Sequence, residues 1–156
     1  MRRKIQKYLS GEREGFSLIE LIIVIAIMAI LIGVVALVVL PYLESSREST
    51  DRAALNEVAT AFKSAASGNE TFAKEAAGLS ATGKLITGFS DGLQKKINGY
   101  LERSVEDTEK AFSSKACNGA HFYFAKDASK GFYVYISKDG SKPVEDTDGT
   151  AYSSTK

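Results

Sequence analysis

Tryptophan is absent from the 156-residue chain, and cysteine and histidine occur once each, as Cys117 and His121. One thiol cannot close an internal disulfide, so any exported part must be held by its core alone. One thiol and one imidazole cannot supply the ligand set of a zinc site. A Cys–His nucleophile pair would have to be drawn from these two residues, with Asn118 and Gly119 between them and no orienting partner in view. A quiet buried Cys and a strand-edge His are the plainer reading. No glycine-rich phosphate loop is present. The chain is therefore expected to be no enzyme and to need no cofactor. Charge is also missing where it matters most. Residues 21–40, LIIVIAIMAILIGVVALVVL, carry no polar side chain. As a helix they span about 30 Å, the thickness of a bilayer's hydrocarbon core. A helix apolar on every side needs protein all round it, and the rest of this chain is too small to supply that. The run reads as a membrane span.

Its flanks give the orientation. Arg2, Arg3, Lys4, Lys7 and Arg13 precede the run, and such a basic flank stays in the cytoplasm. The part after the run is then exported. A removable secretory signal has a shorter apolar core and a small-residue cleavage site. The run here is longer, and Pro41-Tyr42-Leu43-Glu44-Ser45 offers no such site. One carboxylate, Glu20, stands at the start of the apolar stretch. Deep in a bilayer it would cost about 2.5–3.5 kcal/mol, less near the interface. Either it rests among headgroups or it has a cationic partner.

The stretch Gly15-Phe16-Ser17-Leu18-Ile19-Glu20, followed by Leu21-Ile22-Ile23-Val24-Ile25-Ala26-Ile27, resembles the prepilin leader and N-terminal helix of type IV pilins and pseudopilins, with a leader of the class III type. The basic leader ending in Gly, the aromatic, the Ser, the Leu and the Glu all match over about residues 13–40. The resemblance implies that a prepilin peptidase cuts between Gly15 and Phe16 and N-methylates the new amine of Phe16. It implies that Glu20 then faces the Phe16 amine of a neighbouring subunit, and an ammonium–carboxylate pair is far stronger in low dielectric than in water. The sequence departs from the family at two places. The usual Gly is replaced by Ala29, with Gly33 nearby, and the usual Pro by Leu37, with Pro41 nearby. Both lie about one helical turn further on. Gly33 weakens helix and Pro41 cannot donate to the carbonyl of Leu37, so residues 33–41 are expected to kink or unwind.

Beyond Pro41 the pattern becomes amphipathic. Leu55, Val58, Phe62 and Ala65 or Ala66 recur at helical spacing, with Asp51, Arg52, Asn56, Glu57 and Lys63 between them. The first helix is expected to continue to about Ser67. A second helix is expected at 91–103, and a short helix and loop at 70–88; residues 104–119 carry no clear pattern. The aromatic runs at 121–125 and 132–136 read as a hairpin. Phe122 and Phe124 share one face, as do Phe132, Val134 and Ile136. Lys142–Val144 is a candidate edge strand blunted by Pro143, and 153–156 a disordered tail. The fold class is α+β: a long N-terminal helix, half membrane-spanning and half amphipathic, on a small antiparallel sheet. Three regions follow: a leader at 1–15, a transmembrane or filament-core helix at 16–43, and an exported globular part at 44–156.

The acidic turn EDTDGT is a weak calcium candidate through Asp146 and Asp148; with no twelve-residue hand, a solvated turn is favoured and no metal is expected. Removing the leader's +3 from the chain's +1 leaves −2, so nucleic acid is not an expected partner. The expected role is a type IV pilus subunit. It would sit in the membrane as a single pass before assembly and in an extracellular pilus afterwards. Its partners would be the prepilin peptidase, the pilus assembly platform and other pilin subunits. Two alternatives stay open: a pseudopilin of a type II secretion or competence DNA-uptake machine, and a signal-anchored surface protein that never polymerises.

Overall fold

A computed structural model describes residues 16–155. Helix α1 runs from Leu18–Ser67, 50 residues without interruption. It is followed by α2 (Glu70–Ala77), a single 3-10 turn (Ile86–Gly88), α3 (Asp91–Asn98), α4 (Val105–Lys110), β1 (His121–Asp127) and β2 (Gly131–Ser137). The strands pair antiparallel, so the architecture is α+β. The chain divides at Pro41 into two compact units, the second beginning at Tyr42.

In the N-terminal unit the side chains from Leu18 to Leu40 stand exposed on every side of the helix, with no core of their own. Helical structure continues through Gly33 and Pro41. The expected unwinding of 33–41 is thus not present in the single chain. One proline removes one hydrogen bond, while Val34 to Leu40 on its N-terminal side are free to propagate the helix, and a Cβ at Gly33 would meet nothing within 4 Å.

The C-terminal unit is built on the lower half of α1. Leu55, Val58, Phe62 and Ala65 are buried there together with Phe122, Phe124, Val134 and Ile136. The pairings Phe122–Ile136, Phe124–Val134 and Lys126–Phe132 put these side chains on one face of the hairpin, as the alternation predicts. Phe62 is the hub: its ring lies 5.0 Å from Phe124 and 5.9 Å from both Phe89 and Phe132, mostly edge-on. On the opposite face Tyr123, Tyr135 and Tyr133 stack at 5.5 and 5.9 Å. Gly140, at φ +80, closes against this face; a Cβ there would sit 2.5 Å from the Tyr123 ring.

Five expectations need correction. The second helix ends at Asn98, five residues short, because Gly99 caps it with its N–H on the Lys95 and Ile97 carbonyls. Residues 104–119 do contain a helix, α4, opened by Ser104, whose hydroxyl accepts from the Asp107 N–H at 3.1 Å. Asp51 is not on the solvent face but buried. The tail is not loose over 153–155. The Ser154 N–H donates to Val134 O at 2.8 Å, the Val134 N–H donates to Ser154 Oγ at 2.8 Å, and Tyr152 ahead of them is fully buried. Lys156 lies outside the described residues. No strand forms at 142–144, although Val144 donates to Ile136 O and accepts from Tyr152 N–H.

Candidate functional site

Two regions carry the groups of interest: the start of α1, and the polar upper turns of its second half. Gly15 lies outside the described residues, and Phe16 is the first residue within them, 86% exposed. Ser17 is the N-cap of α1: its carbonyl accepts from Leu21 N–H at 3.2 Å. Its own N–H donates to Glu20 Oε2 at 2.9 Å. Ser17 and Glu20 therefore form one arm of a capping box, in which a carboxylate at the third helical position reaches back to the N-cap amide. The carboxylate also lies where the helix dipole favours negative charge. The S-x-x-E spacing is legible in the sequence and gives Glu20 a third role that the sequence reading missed, beside the headgroup and ion-pair roles. From Leu21 to Leu40 no charged group interrupts the helix. By length and composition this is a helix able to cross a membrane, with none of its apolar window buried.

Further along, Glu44, Glu48 and Asp51 extend the buried stripe of Leu55, Val58, Phe62 and Ala65 upward at steps of four and three residues. Their carboxylates hold loops instead of packing. Asp51 accepts from the N–H groups of Ser113 at 3.1 Å and Ser114 at 2.9 Å, and from the Ser114 hydroxyl at 2.5 Å. Glu44 accepts from Lys115 N–H at 2.6 Å. Glu48 accepts from the N–H and hydroxyl of Thr147 at 3.0 and 3.2 Å. The spacing alone could have found these residues, but carboxylates at such positions read as solvent-facing.

The acidic turn is occupied by the protein itself. Arg52 donates to Asp146 Oδ2 at 2.5 Å and to the carbonyls of Thr150 and Ala151. Asp146 Oδ1 accepts from the N–H groups of Asp148 and Thr150. Burial works against the charge, but the Arg52 guanidinium and these two amides hold the Asp146 carboxyl below its usual range. Asp148 contributes its backbone to this turn. Among the described residues no group of three or more His, Cys, Asp or Glu side chains is placed to hold a metal ion.

Cys117 and His121 are not brought together by a hydrogen bond. Cys117 is fully buried, and burial, with the Asp51 charge adding to it, pushes its thiol up to about 11 despite the Ser114 hydroxyl. It is a thiol, not a thiolate, at neutral pH. The His121 ring donates from Nδ1 to Glu109 Oε2 at 2.8 Å, and Glu109 Oε1 accepts from Phe122 N–H at 2.7 Å.

Comparison with known proteins bears on the first of the two regions. No curated protein and no solved structure matches the chain. Residues 12–40 match a family model, the prokaryotic N-terminal methylation motif. That segment includes the Gly15–Phe16 junction, Glu20 and the apolar run. Over these residues the chain is similar to the class III leader and N-terminal helix start of type IV pilins and pseudopilins.

Proposed function

We propose that this chain is a structural, non-enzymatic subunit of a type IV pilus. It enters the membrane as a prepilin, is cut between Gly15 and Phe16 by the prepilin peptidase, and is methylated on the Phe16 amine. The assembly platform then draws it out of the bilayer into a filament of like subunits, carried to the cell exterior. The observation that carries this reading is the conjunction of the methylation motif with a helix whose apolar side chains have no cover among the described residues. Lipid supplies that cover before assembly, and neighbouring helices supply it after. Small residues assist such packing: Ala26, Ala29, Gly33 and Ala36 recur at steps of three and four, where helices can approach closely.

Glu20 has a role in this scheme that depends on the cut. In the uncut chain its carboxylate serves its own Ser17 amide. Cleavage before Phe16 creates an ammonium one residue from that cap. The charge then present at each chain start is matched by one carboxylate per chain, and pairing between chains removes the penalty of either group alone in hydrocarbon.

The pseudopilin alternative shares the motif and differs in where the polymer ends. Mechanical shearing of intact cells separates the readings. The pilus reading expects the mature chain as the main component of long sheared fibres. Mature chain confined to the cell envelope in short assemblies favours the pseudopilin. Uncut chain that stays in the membrane and never enters a polymer contradicts both and leaves a plain signal anchor.

A further inference from the structure

A cavity of about 490 Å³ opens between the 3-10 turn, α4 and the start of β1. Its volume falls in the range of small-ligand sites. Leu85 and Phe112 give it an apolar wall, and Leu85 is 37% exposed. Thr87, Glu106, Asn118 and His121 stand around that wall. The side chains of Thr87, Glu106 and Asn118 make no hydrogen bond to any described residue. His121 is held by one nitrogen only. Glu109 accepts from Nδ1 at 2.8 Å while its other oxygen is fixed by Phe122 N–H, so Nε2 is left as the ring nitrogen without a protein partner.

From this arrangement we propose that the cavity is a carbohydrate-binding site, sized for one or two sugar rings. A sugar ring has an apolar C–H face and a rim of hydroxyls that both donate and accept. The cavity offers the complement: an aromatic and aliphatic wall, two groups that donate and accept (Thr87 and Asn118), a carboxylate acceptor (Glu106) and an oriented imidazole nitrogen. Charge argues against an anionic ligand. Lys110, the one cation on the lining, is paired with Asp107 at 3.3 Å, and Glu106 is left unpaired. A neutral polyhydroxylated ligand uses all four polar groups, whereas a simple amine uses chiefly Glu106. The site lies wholly within the C-terminal unit and does not depend on the pilus reading, so it stands for a pilin, a pseudopilin or an anchored protein alike.

The test is saturation-transfer NMR on the full chain in a non-glycosidic detergent. The probes are glucose, galactose, mannose, N-acetylglucosamine, N-acetylgalactosamine and lactose. Transfer to at least one of them is expected. Asn118→Ala and Thr87→Val remove groups without internal partners, so the fold should be unchanged while affinity for that sugar drops about fivefold to tenfold each. Tyr100→Ala, outside the cavity, should bind as the parent does. Absence of transfer to every sugar in the panel overturns the proposal. So does a sugar whose binding neither cavity variant weakens.

Discussion

The Ser17 amide holds the Glu20 carboxylate before any neighbouring chain can, and this separates two things the side chain does. Glutamine at the same position can keep the capping bond but not the charge. If pairing between chains drives assembly, Glu20→Gln and Glu20→Ala should both insert and be cut normally, and both should lose most surface filaments. Glu20→Asp should assemble in part. Filament counts beside a blot for the cut chain decide it; normal piliation by Glu20→Gln with failure by Glu20→Ala would assign the residue to capping alone. A second residue sets an acid limit. The Asp146 carboxyl titrates below its ordinary value of 3.8 when folded. Its contribution is therefore complete above about pH 4 and lost as pH falls through the lower folded value. Asp146→Asn should be less stable than the parent at neutral pH, and the gap should close toward pH 2. A gap that stays constant with pH would show that Arg52 and the turn amides draw nothing from the charge.

Among the elements, the apolar half of α1 and both strands were legible because their side chains repeat at 3.6 and 2 residues with little interruption. The upper turns were not. Glu44, Glu48 and Asp51 continue the same stripe, but a carboxylate is read as exposed unless its partners are known, and here the partners are backbone amides at Ser113, Ser114, Lys115 and Thr147. Nothing in those loop residues announces that their N–H groups need an acceptor 60 or more positions away. The tail misled for a related reason. Ser-Ser-Thr-Lys has the composition of a loose end, yet the backbone of Ser153 and Ser154 pairs along β2, and Tyr152 enters the core. Tyr152→Ala should therefore cost about 3–5 kcal/mol, the range for emptying a buried aromatic site. A chemical melt of the C-terminal unit measures it. A midpoint equal to the parent's would mean the tail is dispensable. At the start of α1, the N-terminal methylation motif was legible in the sequence, whereas the capping role of Glu20 was hidden in plain S-x-x-E spacing.

On the scale of the whole molecule, the division at Pro41 sets apart a unit with its own core from a helix with none. A fragment from Tyr42 onward keeps Glu44 and every buried aromatic, so it should fold as a soluble monomer with a single cooperative transition. Starting at Ser45 instead removes the Glu44–Lys115 bond and should lower the midpoint. Aggregation of the Tyr42 fragment would show that the apolar helix contributes to the core after all. The account of the N-terminal segment stands or falls with processing at the Gly15–Phe16 junction, which the matched motif contains. Intact-mass and N-terminal peptide mass spectrometry of the chain recovered from sheared surface fibres tests this most directly. The account predicts a chain that begins at Phe16 and carries one added methyl group on its amine. A chain in those fibres that begins at Met1, or at any residue beyond Pro41, would contradict it.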